Sequence, residues 1–271
     1  MSKRVWFDFL KLAVGFVLIC VLFSNLPDYL PESWAERIAI ETNDLTLSVQ
    51  DEEKLGEYIM ENLLDEFQLL ENPTTDSAIQ EIVNRFEPII SNSPYEYNIM
   101  VVKHDQINAI TLPGGNIILF SGLIEFAESP EEVAAVLAHE IGHVEERHIV
   151  NKLLAEIGLT LVMTIVTGGD ATIIHTAAST LLSNVFSRSQ EAEADQTGMK
   201  LLVQAQIHPK ALGSFFNHLN EQDLDYNENL EWMMTHPHNS NRIEESESFP
   251  IPSDFKPIPL EANWTRVRQA I

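Results

Sequence analysis

Residues 138–144 read Ala-His-Glu-Ile-Gly-His-Val, and the spacing within that heptapeptide constrains the rest of the chain. His139 and His143 are four residues apart, so on a helix they stand on one face, a single turn from each other, and can reach one ion. Glu140 sits beside that face. An H-E-x-x-H arrangement offers zinc two imidazole ligands and places a carboxylate where it can take a proton from water. The competing reading is a helix with two ordinary histidines. The flanking residues do predict a helix: Ser129 as N-cap, Pro130 at the first helical position, and Glu132 where a capping box has its acid. Val133, Val136, Leu137, Ile141 and Val144 then form an apolar stripe, followed by a charged end at Glu145, Glu146, Arg147 and His148. Acids in the first turn and charge in the last argue against this helix lying in lipid.

Two histidines leave a zinc site incomplete, so a third ligand is expected downstream, with one position open to water. Ser187-Arg188-Ser189-Gln190-Glu191-Ala192-Glu193-Ala194-Asp195 is the candidate stretch. Helical spacing puts Glu191 and Asp195 on one face, so Glu191 can ligate while Asp195 accepts a hydrogen bond from a ligand histidine. Glu193 points elsewhere. Taken alone, the stretch reads equally as an acidic helix face; paired with the upstream motif, it reads as a ligand helix. A third histidine of the metzincin kind is excluded, because Glu146 and Ile149 occupy the Gly and His positions of that pattern.

Near the amino terminus, Ser2, Lys3 and Arg4 precede a run from Phe9 to Leu26 that is apolar except for Lys11, Ser24 and Asn25. Its uncharged part is short for a span of about 20 residues, but Lys11 can snorkel outward and extend it. Basic residues before the segment and Asp28, Glu32 and Glu36 after it predict a cytoplasmic amino terminus, with the remainder outside. The expected organisation is therefore a cytoplasmic stretch 1–8, a transmembrane signal anchor 9–27, a linker 28–50, a catalytic-type domain 51–248 and a Pro-rich tail 249–271. A cleaved signal peptide is the alternative, disfavoured by the poor cleavage site at Leu22-Phe23-Ser24.

Apolar residues recur at helical spacing from Asp51 to Leu70 and from Asp76 to Ile90, with Pro73 between the two runs. Short strand-like runs follow at Tyr97–Val102, Ala109–Leu112 and Asn116–Phe120, the last two joined by the turn Pro113-Gly114-Gly115. Asn108 and Ala109 open a candidate edge strand for binding an extended peptide by main-chain pairing, with a plain structural hairpin as the equal alternative. Beyond the motif helix, Ile157–Thr167 and Ile173–Phe186 are apolar but below spanning length, which predicts buried or partly exposed helices.

Composition narrows the partners. Forty-one acidic against sixteen basic residues give a formal charge of −25, which repels nucleic acid and anionic lipid. Cys20 is the single cysteine, so intramolecular disulfides and thiol ligation of a structural zinc are excluded.

Together, His139-Glu140-x-x-His143, Ser187-Arg188-x-x-Glu191-x-x-Ala194-Asp195 and Asn108-Ala109-x-x-x-Pro113-Gly114-Gly115 resemble the zinc metallopeptidase family of the HtpX heat-shock protease and the CAAX prenyl protease. Within that family the chain looks similar to the periplasmic BepA-like proteases and the mitochondrial inner-membrane protease with overlapping activity. The resemblance runs from about Ile99 to Arg242. It implies an α+β, mainly α, gluzincin-like domain with a small β-sheet, one zinc per chain and Glu191 as third ligand. It also points to Thr235-His236-Pro237 and Arg242. In BepA-like proteins the matching histidine can fill the open zinc position and hold the enzyme inactive, and the matching arginine lies near the site. A turn before a helix is the competing reading of that stretch. His104, His148, His175, His208, His218 and His238 receive no role. BepA-like proteins carry a tetratricopeptide array after the protease domain, and residues 243–271 leave no room for one.

The resemblance implies a membrane-anchored zinc endopeptidase that cleaves unfolded or membrane-associated polypeptides, facing the periplasm of a Gram-negative bacterium from its inner membrane. Glu140 is the expected general base, with His236 or Arg242 stabilising the oxyanion. A client-binding, chaperone-like protein with a mainly structural zinc is the rival, and Glu140 counts against it, since a structural site needs no base.

Overall fold

A computed structural model describes residues 47–169, 171–182, 185–221, 235–236 and 240–271. The expected anchor 9–27, its flank 1–8 and most of the linker 28–50 lie outside the described residues, as do Pro237 and His238. Residues 48–271 form one compact unit. Among the described residues no single helix is long and apolar enough to cross a membrane.

The unit is mainly helical around a small mixed sheet. Helix α1 (Val49–Leu64) is capped by Ser48, whose hydroxyl accepts from the Asp51 amide. It is shorter than its periodicity predicts, because the chain beyond it joins the sheet: Leu70 N donates to Val101 O and Lys103 N to Gln68 O. Helix α2 (Pro73–Ile90) begins earlier than expected. Pro73 starts it instead of breaking the chain, with Asn72 as N-cap, since a first-turn residue has no use for its amide hydrogen.

Strands β1 (Asn98–Val102), β2 (Ala109–Thr111) and β3 (Asn116–Phe120) follow in the spatial order β1-β3-β2. β3 is central, parallel to β1 and antiparallel to β2. The Pro113-Gly114-Gly115 link is a single 3-10 turn in which Gly114 and Gly115 have φ of 72° and 84°, a region that favours glycine. One side of β1 is covered by the bridge from Leu69 to Val102, and β2 is the other edge of the sheet.

A short helix α3 (Ser121–Phe126) leads to α4 (Pro130–Glu145), which carries the H-E-x-x-H motif. Ser129 caps it as expected, accepting from the Glu132 amide, whereas the Glu132 carboxylate accepts from Glu128 N instead of closing a capping box. Burial extends well past the predicted stripe: all residues from 132 to 144 are buried. Helices α5 (His148–Glu156), α6 (Leu159–Val166) and α7 (Ala171–Leu182) occupy the apolar stretches beyond, and α8 (Arg188–Gln204) and α9 (Lys210–Glu221) pack on α4. Helix α10 (Ser240–Ser248) lies against α9, and α11 (Trp264–Arg268) closes the chain.

The proline-rich residues 249–271 are tied to the body. Leu260, Trp264 and Val267 are buried, Trp264 Nε1 donates to Ala127 O at 2.7 Å, and Arg85 donates to the carbonyls of Ala205 and Ile258.

The α4–α8 contact is unusually close because each helix presents a glycine to the other. A β-carbon at Gly142 would lie 2.5 Å from Ala194 O, and one at Gly198 would lie 2.9 Å from Ala138 O. Both obstacles are backbone atoms that cannot rotate away. Alanine is the better helix former by about 1 kcal/mol, but overpacking of this kind costs about 1–3 kcal/mol. Gly142→Ala is therefore expected to lower stability, with a reduced urea midpoint at unchanged m-value as the check.

Candidate metal centre

Helix α4 delivers His139, Glu140 and His143, and α8 delivers Glu191 and Asp195, all at most 1% exposed. His236 joins them, 3% exposed, from the stretch preceding α10. One donor atom each of His139, His143, Glu191 and His236 lies within 4.8 Å of the others. His139 Nε2 is 3.1 Å from His143 Nε2 and 3.2 Å from His236 Nδ1. Glu191 Oε1 is 3.1 Å from His236 Nδ1 and 3.4 Å from His143 Nε2. Ligands held about 2.0–2.1 Å from a tetrahedral zinc are themselves about 3.3 Å apart, so these separations fit that ion.

The chemistry of the set points the same way. His139 Nδ1 is 2.8 Å from Asp195 Oδ1, which leaves the lone pair of a neutral ring on Nε2, facing the other donors. Three imidazole nitrogens and a carboxylate oxygen turned inward are poor partners for one another and good partners for a cation. Charge agrees as well: Glu140, Glu191 and Asp195 together with Arg242 leave the buried site with a formal net charge of −2, which a divalent cation would balance.

Arg242 is the counterion behind these donors. Its Nε and Nη2 donate to Asp195 at 2.6 and 2.8 Å, and its Nη1 lies 2.7 Å from Glu191 Oε2. The guanidinium also stacks over Phe216, 4.6 Å from the ring centre. Burial alone would raise the pKa of Asp195, but its hydrogen bond to His139 and the charge of Arg242 hold it below the usual value. The same contest is won at Glu191 by His236, His143 and His139, so its carboxyl also stays low. Burial pushes His143 well below the ordinary histidine value, which favours the neutral ring that a ligand needs. At His139 burial is outweighed by Asp195 and Glu191, which raise the basicity of the ring.

Glu140 stands beside this cluster with its two oxygens in different surroundings. Oε2 accepts a 2.6 Å hydrogen bond from the Thr111 hydroxyl of β2. Oε1 has no hydrogen-bond partner among the described residues and lies 3.6 Å from His236 Nε2. A cleft here is lined by Asn108, Ala109, Thr111, Ile149, Phe186 and His236. β2 therefore borders the site. Asn108 O accepts from Phe120 N and Leu112 N donates to Asn116 O, so by antiparallel alternation Ala109 and Thr111 turn their main chains to the free side. The Ala109 amide is already bonded to Asn108 Oδ1, which among the described residues leaves Ala109 C=O and both the N–H and C=O of Thr111 as the pairing groups of that edge.

The structure thus gathers Glu140, His139, His143, Glu191, Asp195, His236 and Arg242, with Asn108 and Ala109 beside them. It adds three side chains without an expected role. Thr111 was legible in principle, since strand alternation places it on the same face as Ala109. His148 was not, because five residues beyond His143 is off-face on a continuous helix. The helix breaks at Arg147, whose φ of 56° turns His148 back against His143. Phe186 covers the His143 ring at a centroid distance of 4.0 Å, and nothing in its local sequence foretold that.

Residues 73–249 match the model of peptidase family M48. A β-barrel assembly-enhancing protease of Yersinia pestis is 27% identical over 231 residues, 80% of this chain and 47% of its own length. Its counterpart from Escherichia coli strain K12 is 27% identical over 211 residues, 73% of this chain and 43% of its own. The mitochondrial metalloendopeptidase OMA1 of Schizosaccharomyces pombe is 25% identical over 232 residues, 84% of this chain and 67% of its own. The chain spans less than half the length of the two bacterial relatives.

Two substitutions separate ligation from support. Glu191→Ala is expected to abolish zinc binding, whereas Asp195→Asn keeps the stoichiometry and weakens affinity about 10–100-fold. Elemental analysis and chelator competition check both; undiminished zinc in Glu191→Ala would move the third ligand elsewhere.

Proposed function

The chain belongs to peptidase family M48 and is accordingly a zinc-dependent metalloendopeptidase, and on that premise we propose which of its residues act and on what. His139, His143 and Glu191 hold the ion. When bound, zinc acts as a Lewis acid, lowering the pKa of an attacking water to about 7 and polarising the scissile carbonyl. Glu140 is the general base. Thr111 occupies Oε2, so Oε1 is the oxygen that takes the water proton and returns it to the leaving amine. That oxygen, buried beside the ligand cluster and without a hydrogen-bond partner among the described residues, is the observation that carries the reading: a purely structural zinc site has no use for it.

Substrate lies extended along β2, pairing with Ala109 C=O and Thr111 N–H. Main-chain pairing discriminates little between sequences, which suits unfolded polypeptides. His236 is a switch: its Nδ1 completes the donor set in the closed form, and leaving that place opens a position beside Glu140. Of the two candidates for the oxyanion, His236 faces Glu140, while the guanidinium of Arg242 is directed at Glu191 and Asp195.

Residues 9–27 anchor the protein in the inner membrane with residues 51–248 as a periplasmic protease domain, acting on misfolded or stalled membrane and envelope proteins. The apolar run with its basic flank supports the anchor. The names of the bacterial relatives, which refer to β-barrel assembly, support the envelope as the source of substrates.

Cleavage of unfolded casein by the whole chain tests this reading. Glu140→Gln is expected to lose about 10²–10⁴-fold in rate while retaining zinc. Casein that is bound but left intact by the wild-type protein would favour the client-binding alternative. His236→Ala removes both the closed form and the oxyanion candidate; a raised cleavage rate is expected, with inhibition the larger of the two effects, and a fall would make transition-state stabilisation the larger.

A further inference from the structure

His148 and Glu193 form a chain of contacts behind ligand His143 that parallels the Asp195 contact behind His139. His148 is 3% exposed, its Nδ1 is 3.0 Å from His143 Nδ1, and its Nε2 is 3.1 Å from Glu193 Oε2. The proton assignments along this chain are forced in one direction once His143 gives its Nε2 lone pair to the ion. A neutral His143 then carries its hydrogen on Nδ1 and must donate it. His148 Nδ1 must accept, so His148 carries its own hydrogen on Nε2, where the Glu193 carboxylate is in place to receive it.

We infer that His148 is a positioning residue for zinc: it fixes the tautomer and orientation of His143, and Glu193 fixes His148 in turn. Resting on the assignment of His143 as a ligand, the inference adds two residues to the functional site. The local fold supports it. His148 opens α5 immediately after the left-handed Arg147, and Arg147 is held by an ion pair to buried Glu52 of α1. Phe186 packs on the pair, its ring centre 4.0 Å from that of His143 and 6.3 Å from that of His148. An exposed ion pair to Glu193 alone would contribute little to stability. Its effect lies in directing the His148 ring, which a buried ligand with one remaining donor depends on.

On this reading α8 serves the ion three times: Glu191 ligates, Asp195 orients His139 directly, and Glu193 orients His143 through an imidazole. A carboxylate touching the ligand would place a full charge beside it; the interposed ring keeps that charge at the protein surface, where Glu193 is 58% exposed.

The test is zinc affinity of the whole chain, measured by competition with a chromophoric chelator, together with the visible spectrum of the cobalt-substituted protein. His148→Phe retains a ring of similar shape and removes both nitrogens; it is expected to weaken zinc binding about 10–100-fold and to alter the cobalt spectrum. Glu193→Ala, at an exposed position that leaves the fold intact, is expected to weaken binding several-fold, and Glu193→Gln, whose amide oxygen still accepts, to restore it. Wild-type affinity and spectrum in Glu193→Ala, or in a folded His148→Phe, would overturn the inference while zinc loss in His143→Ala left the ligand assignment standing. If His143→Ala binds zinc as tightly as wild type, the ligand assignment fails first and takes this inference with it.

Discussion

The approach of two helix backbones is the contact on which the rest of the site depends. Where α4 and α8 meet, Gly142 faces Ala194 and Gly198 faces Ala138, with no room for a β-carbon at either glycine. Any larger residue would hold the helices apart, and the carboxylates of α8 would no longer meet the imidazoles of α4. Ala194 stands between Glu191 and Asp195, and Gly142 stands next to His143, so the closest backbone contact coincides with the functional side chains. Much of the apolar core, including Val133, Leu137 and Leu202, serves to press these two helices together.

That proximity creates an electrostatic problem which the surrounding residues answer. Buried carboxylates are costly unless paired, and here Arg242 spans Glu191 and Asp195 while the histidines supply hydrogen bonds. Zinc completes the balance. A divalent ion held there would therefore depend on the guanidinium and the two helices, and they on it. Coupling of metal binding to the stability of this region follows from that dependence.

The sheet supplies the remaining part. β2 holds Glu140 through Thr111 and lines the same cleft, so the element that restrains this carboxylate also borders the metal-ligand cluster. Among the described residues the sheet order leaves β2 as an edge without a further strand, while β1 is covered by the chain at Leu69. A single topological choice thus decides which strand faces the site.

Local chemistry in the sequence was enough to determine the motif helix with its Ser129 cap, the three strands, the PGG turn, and the expectation that Glu191 and Asp195 share a helical face. These features depend on periods of 3.6 and 2 and on capping residues, which act over a few positions. Resemblance to a family brought in His236 and Arg242, which no local pattern marks. The tertiary structure decided the rest. Helix α1 yields its last residues to the sheet, Pro73 begins a helix, residues 249–271 anchor through Leu260 and Trp264, and His148, Thr111 and Phe186 reach the site. Except at Pro73, where the neighbouring Asn72 cap decides, the deciding partner is distant in the chain, or, at His148, a left-handed residue breaks the helical period. Spacing along a sequence carries information about a neighbour one turn away and none about which backbone will close against it.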